Sequence, residues 1–257
     1  MAKFEWNVEQ GSIEWFKMRS GIPTASEFDK IMTPKTMKPA EARWKYGCRL
    51  VAEHILNWQA ESLDQIKHIQ EGKANEPYAV GYLEVVQEIK TTPVGFVRTN
   101  DLRFGASPDR VFGISADRGH VNGVLEIKSP TIPKQMEYLL LGHDDAYRCQ
   151  VQGQLWVAEA DKAIFCAHNP RTPAYVVETG RDEAFLVKLE DCLERFSDEL
   201  SELMERAKSL GVFQSFAELR TPVDAELGDN IRRDPLTTAA ELADIIEGRS
   251  GDPSWGG

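Results

Sequence analysis

One run limits what this chain can fold into more than any other: SPDRVFGISADRGHVNGVLEIKSP, from Ser107 to Pro130. Side chains alternate faces along a strand, so in VLEIKS the Glu126 and Lys128 side chains share one face and Ile127 takes the other. The Ile127 side anchors in a core; the Glu–Lys side needs solvent or a polar site. An exposed ion-pair ladder is the plain reading of such a face. Asp109 offers another. It follows Pro108 at the end of the preceding strand, and if the two strands pair as a hairpin its carboxylate comes near Glu126. Two carboxylates at one point repel, and each is driven toward protonation unless a cation lies between them. A hard divalent ion resolves this. Mg²⁺ commonly keeps several waters and takes one or two carboxylates with substrate phosphate oxygens. The backbone carbonyl of Ile127 is a further candidate ligand. Lys128 beside such an ion can stabilise charge on a transferring phosphate or hold the attacking water.

The surrounding pattern reads as helices, then a mixed sheet, then helices over it. Ser12 caps IEWFKMRS, and GIPTASEFDKIM reads as a capping box with Thr24 at the N-cap and Glu27 three residues on. Pro39 suits the first turn of a helix reaching Trp58, with Trp44, Cys48, Val51, Ile55 and Leu56 on its inward face. A second helix is expected over about Asn75 to Glu88, with Tyr78, Tyr82, Val85 and Val86 inward. VGFVRT, FGASPDRVFG and GVLEIKS read as antiparallel strands, with Asp117 to Gly123 as the hairpin loop joining the last two. Helices follow in PKQMEYLLLG and DAYRCQVQGQLWVAEA, then strands in KAIFCAHN and AYVVET. From Asp182 to about Leu210, apolar residues from Phe185 to Met204 recur at helical spacing. The fold class is therefore α/β, a central mixed sheet flanked by helices. Residues 1–220 read as one domain and 221–257 as an acidic, partly disordered tail.

A net charge of −11 argues against coating a duplex with a basic surface, although eight acids and three bases place −5 of it between Thr221 and Gly257. No run of about 18 apolar residues occurs, so no membrane-spanning helix is expected. The start of the chain, MAKFEWNVEQG, lacks an apolar signal core, which favours a cytoplasmic protein. Cys48, Cys149, Cys166 and Cys192 form no Cys-x-x-Cys pair, and His54, His68, His120, His143 and His168 show no metal spacing. The chain has neither a Gly-x-Ser-x-Gly elbow nor a P-loop, which disfavours a serine hydrolase and ATP dependence.

SPD followed by LEIK resembles the signature of the PD-(D/E)xK nucleases. RSGIPTAS (Arg19 to Ser26), GKANE (Gly72 to Glu76), ASPDRV, LEIKSP and CQVQGQLWV (Cys149 to Val157) occur in the order of the lambda-exonuclease-like (YqaJ-type) viral recombinases. The resemblance covers about Ile13 to Val177. It implies a restriction-endonuclease-like core, with Asp109, Glu126 and Lys128 as the catalytic set. It also implies Glu76 as a helical acid completing the metal site, with Asp109, Glu126, Glu76 and the Ile127 carbonyl as ligands. Gln150 matches a glutamine beside the active site. Arg19 matches an arginine gripping a terminal 5′-phosphate, and Thr24, Ser26 and Ser107 match small hydroxyl residues near bound phosphates. A helix opened by TASE would aim backbone N–H groups at the same anion.

The same resemblance implies a 5′→3′ exonuclease that digests one strand of linear double-stranded DNA to mononucleotides. It would use one or two Mg²⁺ ions, with Mn²⁺ as a substitute. It would leave 3′ overhangs for a single-strand annealing protein in phage or prophage recombination. A homotrimeric ring would retain DNA by topology, with Lys134, Arg103 and Arg43 as candidate channel residues. The long hairpin loop before Glu126 departs from the family pattern and is expected at the surface. Two alternatives stand beside this reading: a PD-(D/E)xK endonuclease or repair nuclease of other polarity, and a DNA-end-binding assembly protein without catalysis.

Overall fold

The computed structural model describes residues 1–56, 76–86, 88–142 and 145–211. The first four residues of GKANE, the tail from Thr221, His68 and His143 lie outside the described residues.

A five-stranded mixed sheet forms the centre, in the order β10-β9-β8-β7-β4. Its strands are β4 (Thr92–Pro93), β7 (Arg110–Ile114), β8 (Val121–Lys128), β9 (Lys162–Ala167) and β10 (Tyr175–Gly180). Only β8 and β9 pair in parallel; the other neighbours are antiparallel. A three-stranded sheet of β1 (Lys3–Glu5), β5 (Phe96–Arg98) and β6 (Gly105–Ala106) stands beside it, with a two-stranded hairpin of β2 (Met32–Thr33) and β3 (Lys38–Pro39). VGFVRT and FGAS thus pair in a sheet separate from β7 and β8. The β7–β8 turn is shorter than expected, because β8 begins at Val121.

Helices cover both faces of the central sheet. Helix α3 (residues 76–86) lies on one face, where Ala79 and Leu83 pack on Leu125, Ile164 and Cys166, with Ile127 at the margin. Helices α4 (Ile132–Leu141) and α5 (Arg148–Ala158) lie on the other, in the larger core with Val124, Ala163 and Phe165. Strand alternation therefore buries Leu125 against α3, half-buries Ile127 on the same face and turns Glu126 toward α5. Helix α5 is buried on nearly every side, because it is also packed by α6 (Glu183–Ser209) and the 3₁₀ helix Ala25–Lys30. Gly153 permits that last contact: a Cβ there would lie 2.6 Å from the Phe28 ring and 3.2 Å from the Ala25 Cβ. The chain carrying Ser26 is thereby held against the helix carrying Gln150.

Several local expectations held. The Ser12 hydroxyl accepts the Trp15 N–H at 3.2 Å, capping α1 (Ile13–Arg19), and Phe185, Leu189, Leu193 and Phe196 of α6 are buried. Others did not. Thr24 makes no side-chain cap, and the following turn is a six-residue 3₁₀ helix. Pro39 lies in β3, and α2 starts at Arg43. Trp44, Cys48 and Leu56 are exposed, Ile55 is half-buried, and the inward stripe of α2 (Arg43–Leu56) is Tyr46, Gly47, Leu50, Val51 and Glu53. Stacking of Tyr46 on Phe196 at 5.6 Å sets that rotation. On α3, Tyr78, Val85 and Val86 are exposed; Ala79 and Leu83 face inward, with Tyr82 partly buried beside them. Among the described residues no helix is long and apolar enough to cross a membrane. Cys149, Cys166 and Cys192 are buried and Cys48 is exposed; burial pushes the Cys149 and Cys166 thiols up to about 12.

Candidate active site

The β7–β8 register pairs Arg110 with Leu125, so Asp109, immediately before β7, falls opposite Glu126. Asp109 thus opens its own strand; it does not end the one before. Its Oδ2 accepts the Ile127 N–H at 2.5 Å. Two properties of Pro108 leave this position to a side chain. Ile127 would pair with Pro108 in a continued ladder, but Pro108 has no N–H to give. Its carbonyl accepts instead from Gln10 Nε2 at 2.8 Å. The N–H and C=O of one strand residue point to the same edge, so the Ile127 carbonyl faces the Asp109 side without a ladder donor. On the opposite edge, the Lys128 carbonyl accepts the His168 N–H at 2.9 Å.

Glu126 is only 3% exposed. A buried carboxylate needs several partners, and it has three. Gln150 Nε2 donates to Oε1 at 2.6 Å, Gln154 Nε2 donates to Oε2, and Lys128 Nζ stands 2.6 Å from Oε1. Lys128 Nζ also donates to Gln150 Oε1 at 3.4 Å and lies 4.9 Å over the Tyr147 ring. Burial alone would lower the Lys128 ammonium, but Glu126 and Asp109 outweigh it and raise it. The amine keeps its proton. Asp109 is raised too, which for an acid favours the neutral form: burial, then the charge of Glu126, hold its carboxyl well above the ordinary range, against the pull of Lys128 and the Ile127 N–H, and Glu76 adds to the rise.

Glu76 opens the described part of α3. Its Oε1 lies 4.0 Å from Arg110 Nη1, and it lines a cavity of about 450 Å³ together with Asp109, Trp6 and Gln10. Among the described residues, no three acids, histidines or cysteines are gathered closely enough to ligate an ion as they stand. Glu126, one of the four expected ligands, has its oxygens engaged by Gln150, Gln154 and Lys128. The donor set nonetheless fits a hard cation. Asp109 is raised by burial and by the charges of Glu126 and Glu76, and the Ile127 carbonyl has no N–H to take from Pro108 opposite it.

Arg19 is 6% exposed at the end of α1. Its Nη1 donates to Ser107 Oγ at 2.9 Å; its Nη2 reaches Thr24 Oγ1 and Ser26 Oγ, each at 3.4 Å. The guanidinium lies 4.3 Å over the Trp15 ring, and Trp15 Nε1 donates to Ser107 Oγ at 3.1 Å. All four residues expected around a phosphate thus converge in one place, a guanidinium ringed by three hydroxyls. Ser107 and Asp109 are separated by Pro108 alone, so this pocket and the carboxylate cluster lie within about 7 Å of chain. TASE opens a 3₁₀ turn in which the Thr24 N–H goes to Tyr46 Oη at 3.2 Å and the Glu27 N–H to the Thr24 carbonyl at 2.8 Å.

Sequence reading missed Gln154, Tyr147, Trp15 and Gln10. Gln154 had a signal, since it lies one turn beyond Gln150 on the same helix face; Gln10 had none. The three candidate channel residues are tied to acids: Arg103 to Asp101 and Glu194, Arg43 to Glu199, and Lys134 to Glu137.

A search of curated protein sequences finds no match. The fold is similar to an alkaline exonuclease, LHK-Exo from Laribacter hongkongensis, whose structures include a complex with dAMP. The TM-score is 0.67 at 25% identity, covering 79% of this chain and 100% of that one. It is also similar in fold to a phage related exonuclease from Haemophilus somnus 129PT, with a TM-score of 0.54, 14% identity, and 72% and 96% of the two chains covered. The profile of the YqaJ-like viral recombinase domain matches residues 14–161. With more than half of its length inside that profile, the chain belongs to the YqaJ-like viral recombinase family.

Proposed function

We propose that this chain is a Mg²⁺-dependent 5′→3′ exonuclease that digests one strand of linear double-stranded DNA to mononucleotides. The observation that carries the reading is the one-residue separation between two sites: Ser107 in the Arg19 pocket and Asp109 in the carboxylate–lysine cluster. A terminal phosphate held by Arg19 leaves the next phosphodiester within reach of Lys128. The likeness to LHK-Exo, an alkaline exonuclease with a dAMP complex, supports the same class of reaction.

In this reading Arg19 grips the 5′-phosphate through its fork of N–H groups, and Thr24, Ser26 and Ser107 complete the cradle. Asp109, Glu126, Glu76 and the Ile127 carbonyl would hold one or two Mg²⁺ ions, with Mn²⁺ as a substitute. When bound, the ion activates water and neutralises phosphate charge. Lys128, kept protonated by Glu126 and Asp109, faces the charge that builds on the phosphate and acts as its stabiliser rather than as a base. Gln150 bridges Lys128 and Glu126 and keeps both side chains aimed at the substrate. Residues 1–220 act as one nuclease domain. The product carries a 3′ overhang for a single-strand annealing protein in phage-type recombination, in the host cytoplasm, and the enzyme works as a homotrimer around the duplex.

The deciding experiment uses linear duplex labelled separately at each 5′ and 3′ end, with Mg²⁺ or with EDTA. Mononucleotides are expected from 5′ ends, with Mg²⁺ only. Cutting of closed circles would point to an endonuclease, and release from 3′ ends would reverse the polarity.

A further inference from the structure

Helix α2 fixes the shape of the Arg19 pocket from behind. Tyr46, Arg49 and Glu53 recur at helical spacing on the side of α2 turned toward the chain from Ser20 to Glu27. Glu53 is 1% exposed. Its Oε2 accepts the Gly21 N–H at 3.1 Å, and its backbone carbonyl accepts the Ser20 hydroxyl at 2.8 Å. Tyr46 Oη accepts the Thr24 N–H at 3.2 Å. Arg49 links Glu53, at 3.4 Å, to Glu27, at 2.8 Å. The segment is therefore held near its start, middle and end by one helix face. Gly21 allows the close approach, with φ at +70° and a hypothetical Cβ only 3.2 Å from that of His54.

The hydroxyls of Thr24 and Ser26 ride on this held segment, and they sit at the long end of hydrogen-bonding distance from Arg19, at 3.4 Å each. Small backbone shifts would break them. A buried carboxylate is costly unless its oxygens are used, and Glu53 uses one on the backbone that places those hydroxyls. We propose that Glu53, with Tyr46, is a positioning residue for end recognition: it holds the Ser20–Glu27 backbone against α2 and so sets the preference for a phosphorylated 5′ end. This rests on the reading of the Arg19 pocket as the 5′-phosphate site. Neither residue touches the phosphate.

The test measures kcat and KM on duplexes with 5′-phosphate or 5′-hydroxyl ends for Glu53→Ala, Glu53→Gln and Tyr46→Phe. The ratio of kcat/KM between the two ends is expected to fall about tenfold in Glu53→Ala, the scale of one lost buried hydrogen-bond partner, mainly through KM on phosphorylated ends. Glu53→Gln keeps an oxygen for the Gly21 N–H and recovers most of the ratio. Tyr46→Phe deletes one hydroxyl without a change of charge, so it carries the test if Glu53→Ala does not fold; its ratio also falls. A ratio that stays at the wild-type value in Tyr46→Phe and in the soluble Glu53 variants, or equal losses on both ends, overturns the proposal alone. A wild-type enzyme indifferent to the 5′-phosphate overturns both the pocket reading and this one.

Discussion

The Asp109 carboxylate takes the Ile127 N–H at 2.5 Å, in the place where a strand backbone would otherwise be. The ladder partner Pro108 gives its carbonyl to Gln10 Nε2 instead, at 2.8 Å, and has no N–H to offer the Ile127 carbonyl. The acid is thereby fixed one residue from the β8 face that carries Glu126 and Lys128.

Asp109→Asn is expected to abolish cleavage and to stabilise the metal-free protein. Burial and Glu126 raise this carboxyl above its ordinary value of 3.8. Between 3.8 and the raised folded value, the folded chain holds a proton that the unfolded chain has released, so stability falls as pH climbs through that window. Removing the charge removes the loss. A gain of roughly 2–4 °C in Tm at neutral pH, the size of a change of about 1 kcal/mol, is expected by thermal melting with EDTA. A Tm below wild type would refute the electrostatic account.

Divalent-ion affinity should rise with pH for the same reason, since Asp109 must lose its proton to bind a cation. Calorimetric titration of Mg²⁺ from the ordinary carboxylate range upward in pH should show this dependence in the wild-type protein and its loss in Asp109→Asn. A flat wild-type profile would remove Asp109 from the ligand set.

Lys128→Ala is expected to lower kcat by about 10²–10³-fold, the usual scale for losing a preorganised charge stabiliser, with duplex affinity little changed. Glu126→Ala should also abolish turnover while DNA binding survives. Full turnover by either variant, measured beside a gel-shift assay, would dismiss the assigned role.

Gln154→Leu should destabilise the fold by about 1–3 kcal/mol, because it strips a donor from a buried carboxylate. Urea denaturation reads this directly. An unchanged midpoint would mean that Glu126 does not depend on Gln154.

Arg19→Lys keeps the charge but loses the fork that meets three hydroxyls. Use of 5′-phosphate ends should fall roughly 10- to 100-fold relative to 5′-hydroxyl ends. An equal fall on both would place Arg19 outside end recognition.

Much of the site was legible before any coordinates. Glu126, Ile127 and Lys128 alternate within one strand, and alternation is a local property that any strand imposes. The hairpin between Asp109 and Glu126 was legible for the same reason. Motif order pointed to Gln150 and Arg19 as candidates, whereas Gln154 needed the helix to be seen against the sheet. On α2, the apolar residues Trp44, Cys48 and Leu56 suggested a face that the structure leaves exposed. The true inward stripe mixes Tyr46 and Leu50 with Gly47 and the charged Glu53, whose partners come from the segment between Ser20 and Glu27.

The linear order of residues, on its own, was enough to establish an α/β chain with an acid–amine strand face and an acid placed after a proline. Covalent spacing and backbone alternation are settled within a few residues, so they can be read in one dimension. Only the folded arrangement decided that Thr24, Ser26 and Ser107 meet at Arg19, that two glutamines close over Glu126, and that α2 turns Glu53 inward. Those outcomes depend on which distant segment lies opposite, and burial of a polar group is determined by the partner that comes to meet it.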